Sequence, residues 1–179
     1  MQPSRAMLFC GLLFNDSTDR KDIFGMLEGE FGKAVLVSRP FVFTESSYYE
    51  TEMGSELCRQ FIAFDRLIET ERISEIKLRT IEIERSRFSG QSGRNANIDP
   101  GYLTSAKVVL VTTKNFQHRI YLGRGIYGEV TLRYRRKSYG PWEWTYPDYT
   151  RPESLEFFNN LRSLYREKLQ HASRPGCGS

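Results

Sequence analysis

KVVLVTTKNFQHRIYLGRGIYGEVTLRYR, residues 107–135, decides the reading of the fold. Three runs rich in β-branched and aromatic residues, Lys107–Thr113, His118–Leu122 and Ile126–Arg135, are separated by Lys114–Gln117 and by Gly123-Arg124-Gly125. The pattern predicts three consecutive antiparallel strands, the second turn using glycine to reach positive φ. Loop lengths then set the register. Thr113 is expected opposite His118, Thr112 opposite Arg119, Leu122 opposite Ile126, Ile120 opposite Gly128, and Arg119 opposite Glu129. One face would gather Val109, Val111, His118, Ile120, Leu122, Ile126, Val130, Leu132 and Tyr134 as core. The other would carry Thr112, Arg119, Tyr121, Tyr127, Glu129, Thr131 and Arg133.

Upstream, Met7–Phe14 is a continuous apolar run, as in a strand buried on both faces. Residues 19–31 carry a helical stripe of Ile23, Met26, Leu27 and Phe31, closed by Gly32, and Lys33–Ser38 reads as the next strand. This β-α-β opening predicts a parallel pair with a crossover helix. Tyr48–Met53 and Leu57–Phe64 read as strands around Gly54, with a helix over 57–68 as the alternative. Residues 70–87 predict a helix capped by Thr70, with Ile73, Ile76, Thr80 and Ile83 facing inward. Ser86–Ala96 reads as a loop. The last helix spans 151–170, with Thr150 and Glu153 as a capping box and Leu155, Phe158, Leu161, Tyr165 and Leu169 buried. Residues 171–179 read as a frayed tail. The expectation is one α+β domain over 1–179, with its core at about 6–170. It would hold a mixed, mainly antiparallel sheet, an N-terminal β-α-β unit, a C-terminal three-strand meander and three helices covering a sheet face.

The 179 residues are 39% hydrophobic and 27% charged, which excludes disordered, collagen-like and disulfide-scaffold classes. Charge is uneven: residues 1–100 hold 13 basic and 16 acidic groups, and residues 101–179 hold 13 and 6. A basic C-terminal half can attract phosphates or nucleic acid, or can simply be a solvated surface. Cys10, Cys58 and Cys177 lack metal-ligand spacing, and His118 and His171 are the only histidines. Free thiols in a reducing cytoplasm, and no zinc site, are expected. Met7–Phe14 is too short to cross a membrane.

The polar face supplies the site candidates. Arg119 and Glu129 form an anion clamp or a structural cross-strand pair. His118, beside a loop, is a core histidine or a general base. Asp99, in Asn97-Ile98-Asp99-Pro100-Gly101-Tyr102, reads as a turn residue or as a ligand for a metal or hydroxyl. Trp142–Tyr149 can stack a base or anchor the last helix. The candidate catalytic groups are thus Asp99, His118, Glu129 and Asp148. The candidate binding groups are Arg94, Lys114, Arg119, Tyr121, Thr131 and Tyr146. No metal ligands and no cofactor are assigned. A P-loop is excluded, because Gly29–Ala34 fails in spacing and lacks the hydroxyl residue. No G-x-G-x-x-G follows the first strand, and there is no G-x-S-x-G nucleophile elbow.

Five ordered motifs carry a resemblance. They are Tyr48-Tyr49 with Glu52-Met53-Gly54, Asn97–Leu103, His118–Leu122, Gly125–Leu132 and Trp144–Tyr149. Over roughly residues 6–170 the chain resembles the prokaryotic domain-of-unknown-function family numbered 4416. The resemblance implies fold membership and no established activity. Members are sometimes labelled GTP-binding, yet this chain has no phosphate loop and no Asn-Lys-x-Asp motif. Where the family pattern has Thr-Asn in the second long helix, this chain has Thr80-Ile81, which argues against a site role for that helix. The expected function is that of a small ligand-binding domain or enzyme handling a phosphorylated or nucleotide-like molecule through the polar face of the C-terminal sheet, its partner a small anionic or nucleotide-like ligand. The alternatives are a structural or partner-binding protein and an RNA-binding module.

Overall fold

The computed structural model describes residues 5–16, 18–44, 53, 57–90 and 93–173. A central strand β1 (Arg5–Phe14) is buried at every position after Arg5. Its side chains alternate between two cores. Leu8, Cys10 and Leu12 pack with α1 (Arg20–Phe31) and α2 (Ile73–Arg87). Met7 and Phe9 pack on the opposite face with α3 (Pro152–Ser173). The helices therefore cover both faces of the sheet, which is why β1 carries no polar alternation.

β2 (Ala34–Val37) follows α1 as expected, but the parallel β1–β2 contact does not form. β4 (Cys58–Glu69) lies between them and pairs antiparallel with both, and β3 (Phe41–Val42) extends β2's edge. The crossover is a split β-α-β, its slot filled by a strand arriving later in the chain. β4 also settles 57–68 as strand rather than helix. The strand expected at 48–53 lies outside the described residues, except for Met53. α2 begins at Ile73 after a 3-10 turn at Thr70–Arg72, so Thr70 does not cap it by a side-chain bond.

Residues 86–96 are not wholly loop. Ser89–Gly90 (β5) pairs with Gly93–Arg94 (β6), and β7 (Ala96–Leu103) follows directly. The expected turn at 97–102 is thus a central strand, between β1 and β8 (Lys107–Thr112). Gly101 permits this. A Cβ there would lie 2.4 Å from the Phe9 ring and 2.4 Å from the Val109 carbonyl oxygen.

β8 pairs with β10 (Ile126–Arg135), not with β9 (Ile120–Gly123), so Thr112 and Thr113 do not face Arg119 and His118. The seven residues after β8 carry the chain across to the far edge of β10. There β9 occupies the start of that edge and β11 (Ser138–Pro141) its end. Ile120 faces Gly128 as expected, but Ile126 faces Gly123 across a bulge, and Arg124 and Gly125 both take positive φ. β9 is an outer arm, leaving Ile120 and Leu122 exposed instead of in the core. A second bulge between Val130 and Leu132 puts Leu132 in the α3 core, whereas Val111 and Ile126 join the other. Glu129 and Thr131, expected on a polar face, are buried.

The overall sheet has nine strands, and every pairing among the described residues is antiparallel. α3 begins at Pro152, so Thr150 does not stand at the N-cap position that a capping box with Glu153 requires; it lies in a 3-10 turn, where its hydroxyl donates to the Pro147 carbonyl. α3 runs on to Ser173. Among the described residues no helix is long and apolar enough to cross a membrane.

Candidate functional site

Ladder pairing between β7 and β8 spans only Gly101–Leu103 against Val108–Leu110. Backbone groups of alternate strand residues point to the same edge, so Ile98 and Pro100 both address the β8 side. Pro100 has no N–H to donate there. Ile98 finds its partners on α2: its N–H donates to Glu84 Oε1 at 2.7 Å, and its carbonyl accepts from Lys77 Nζ at 3.1 Å. Two charged side chains of a helix thus stand in for the missing strand. The opening beside them is a cleft of about 730 Å³, within the range of small-molecule sites.

One wall is a polar chain. Arg94 Nη1 donates to Glu84 Oε2 at 2.8 Å and to Asn97 Oδ1 at 3.1 Å. Asn97 Nδ2 donates to Asp99 Oδ2 at 2.6 Å, and Lys77 Nζ to Asp99 Oδ1 at 3.0 Å. Burial pushes the Asp99 carboxyl up, but Lys77, Arg59 and the two hydrogen bonds outweigh it, so its pKa lies below the ordinary value. Glu84 goes the other way. Burial raises it, with the nearby Asp99 charge adding to the rise, against Lys77, the Ile98 N–H and Arg94.

The floor lies over Gly11. That residue pairs with Phe61 on one side and Asp99 on the other, and a Cβ there would stand 3.2 Å from the Tyr149 hydroxyl and 3.4 Å from Arg59 Nη1. The missing side chain leaves room for Arg59, Asp148 and Tyr149. Arg59 Nε lies 2.8 Å from Asp148 Oδ2, both side chains being buried. The Tyr149 hydroxyl is buried and has no hydrogen-bond partner among the described residues. Burial pushes its pKa up, with Arg59 opposing.

The rim is set by Arg119. Its Nε donates to Glu129 Oε2 at 2.7 Å, its Nη1 to the Lys114 carbonyl at 2.9 Å, and its Nη2 to the Tyr146 hydroxyl at 3.0 Å. Burial works to lower its pKa, but the bonds to Glu129 and Tyr146 win and raise it. The Arg119–Glu129 side-chain contact is present, although the ladder between β9 and β10 ends at Ile120 and Gly128, one residue short of Arg119. Glu129 lies behind Arg119 and also contacts His118 Nε2 at 2.9 Å and the Thr131 hydroxyl at 3.3 Å.

Of the sequence candidates, the cleft gathers Arg94, Asp99, Lys114, Arg119, Tyr146 and Asp148. It does not gather the rest. Glu129, His118 and Thr131 form the support under Arg119. Tyr121 is exposed on the β9 arm, where its hydroxyl accepts from the Gly125 N–H. His118 is not on an apolar sheet face; it stacks on Trp144, which stacks on Trp142, with Arg133 over the outer ring. Trp144 and Thr145 donate to the Val130 and Thr131 carbonyls, covering the gap between β9 and β11 on the edge of β10.

The sequence reading missed Lys77, Glu84 and Arg85 on α2, as well as Arg59 and Asn97. Contrary to the expectation from Thr80-Ile81, α2 contributes to the site, and Ile81 itself lines it. A signal existed: Ile73, Lys77, Thr80 and Glu84 follow the i, i+4, i+7, i+11 spacing of one helical face, and all four are buried. Among the described residues no group of three or more His, Cys, Asp or Glu side chains is placed to hold a metal ion.

No curated protein and no solved structure matches the chain. The model of the family described as Domain of unknown function (DUF4416) matches residues 4–165, nearly the whole of the described fold and every element of the cleft, and the chain belongs to that family.

Proposed function

We propose that the cleft binds a small anionic molecule, phosphorylated or nucleotide-like. The observation that carries this is the convergence of six cationic side chains on one cavity, Arg59, Lys77, Arg85, Arg94, Lys114 and Arg119, against three lining carboxylates. Even with Glu129 counted, the balance is positive, and low-dielectric walls concentrate such a field. Arg119 is held in a fixed orientation by three bonds, so little side-chain entropy remains to be lost on binding. A cytoplasmic setting goes with this reading, and the free thiols of Cys10 and Cys58 support it.

The reading is tested by thermal melts of the wild type with inorganic phosphate, pyrophosphate, sugar phosphates and nucleotides. A ligand at a hundred times its Kd adds about 2.7 kcal/mol. For a chain of this size that is roughly 5–11 °C in Tm. The shift should shrink in Lys114→Ala, whose exposed side chain can be removed at little cost to the fold. No shift with any anion would overturn the reading.

A purely structural role is the second reading, and the closed Arg119–Glu129 pair favours it. An RNA-binding role has less support, because Trp142 and Trp144 stack on each other and on His118 and Arg133 instead of presenting free faces.

A further inference from the structure

Resting on that reading, we propose that the ligand is a hydroxyl-bearing phosphate ester, either a free sugar phosphate or a ribonucleotide. Its phosphate would lie at the Arg119 rim and its hydroxyls inside the cleft, between Asp99 and Lys77 of the polar wall and Tyr149 of the floor.

Both ends of the cleft hold hydrogen-bonding capacity that no neighbouring group uses among the described residues. A guanidinium has five N–H donors. Arg119 spends three, on Glu129, Lys114 and Tyr146, and keeps two. Tyr146 accepts from Arg119 and still has its O–H to give. The rim therefore offers donors and positive charge, with Lys114 beside them, and its match is an acceptor-only anion.

The interior, wall and floor together, differs in kind. Lys77 spends two of three N–H groups, on the Ile98 carbonyl and Asp99. Asp99 accepts one bond on each oxygen and retains lone pairs on both. The Tyr149 hydroxyl, buried and unpartnered among the described residues, can donate and accept. A donor, an acceptor and an amphoteric group together suit a partner that is itself both donor and acceptor, which is what an alcohol is. An ammonium group fits poorly, since Lys77 already stands 3.0 Å from Asp99 and would repel a second cation. A second phosphate fits poorly as well, since the cations there, Lys77 and Arg59, are already paired with Asp99 and Asp148, whose charges it would face. The two ends thus select an anion at one side and neutral hydroxyls at the other. A site built to bond a hydroxyl discriminates strongly against the analogue lacking it, because its own buried groups are left unpaired.

The test is calorimetric titration of the full chain with ribose 5-phosphate, adenosine 5′-monophosphate, butyl phosphate and inorganic phosphate. The expected result is at least tenfold tighter binding of one hydroxylated ester than of butyl phosphate. Which of the two wins separates the free sugar phosphate from the nucleotide. Tyr149→Phe and Asp99→Asn should bring the hydroxylated ester down to the level of butyl phosphate, while Lys114→Ala should weaken all four probes together. Tyr149→Phe keeps the test decisive if Asp99→Asn folds poorly, because the hydroxyl it removes has no hydrogen-bond partner among the described residues. Equal binding of all four probes, weakened by Lys114→Ala, would overturn this inference and leave the anion site standing. No binding of any probe would overturn both.

Discussion

Arg119→Ala separates what holds the rim from what the rim holds. In the folded chain the Arg119 and Glu129 side chains are 5% and 0% exposed, and they meet at 2.7 Å. Truncating Arg119 leaves the Glu129 carboxylate buried with His118 and Thr131 as its remaining partners. Breaking a buried pair from one side costs about 3–5 kcal/mol, against 0–1 for an exposed one. For a domain of this size that is roughly 6–20 °C in Tm, and a large share of a total stability of about 5–15 kcal/mol. Glu129→Gln should cost less, since a neutral amide needs no counter-charge and can still bond to His118 and Thr131. The double variant should be more stable than the sum of the single losses allows, with a coupling of about 1–3 kcal/mol. Urea melts of the wild type and the three variants at pH 7 measure the cycle. An Arg119→Ala unfolding free energy within about 1 kcal/mol of wild type would refute the reasoning. Such a result would mean that water reaches Glu129, and that the orientation of the rim does not depend on the pair.

Gly101→Ala should lose about 1–3 kcal/mol or more, because its Cβ would stand 2.4 Å from the Val109 carbonyl oxygen and from the Phe9 ring; a wild-type urea midpoint would contradict the close approach of β7 and β8. Glu84 has a folded pKa above its unfolded value, so its contribution is greatest below about pH 4 and declines as pH rises through the raised value. Asp99, with a lowered pKa, contributes stability above its unfolded value that is lost as pH falls through the folded one. Glu84→Gln should therefore remove the first slope and keep the second, and parallel pH profiles of unfolding free energy for variant and wild type would disprove the assignment. Purified protein should not turn over GTP by a P-loop mechanism, because no glycine-lysine cradle exists to hold the β- and γ-phosphates. Robust Mg²⁺-dependent turnover surviving stringent purification would count against that.

Periodicity made the regular parts of the fold legible. The unbroken apolar run of β1 announced burial on both faces, and the inward residues of α2 were readable at Ile73, Ile76, Thr80 and Ile83. What misled was local chemistry overruled by tertiary contacts. Asp99-Pro100-Gly101 has turn residues, yet it lies in a strand because Phe9 packs where a Gly101 side chain would stand and α2 supplies the bonds that β8 does not. β11 was invisible because its turn places Arg136 and Lys137, not glycine or asparagine, at positive φ. Strand order failed at β9, since loop length sets register only once the pairing partner is known. Arg119 and Glu129 were readable because their hairpin is local. Lys77 and Glu84 were signalled only by their spacing on the inward face of α2, and Arg59 not at all, because a charge on a buried face looks like a charge on a solvated one until its neighbours are placed.

Those buried charges weigh on the choice between a site and a scaffold. Arg59–Asp148, Lys77–Asp99, Arg94–Glu84 and Arg119–Glu129 are four ion pairs, the second and third joined through Asn97 and sharing α2, and each has at least one buried partner and at least one member lining the same cleft. A buried ion pair adds little stability over apolar residues of the same volume, because desolvation offsets its attraction. A scaffold alone gains nothing from concentrating four of them around one cavity. A binding site gains fixed, ionised groups whose orientation is set before the ligand arrives. The remaining N–H groups of Arg119, the remaining lone pairs of Asp99 and the Tyr149 hydroxyl, unpartnered among the described residues, lie on that same cavity. Local departures from core-packing rules concentrated in one place are the pattern expected where stability has been given up for function.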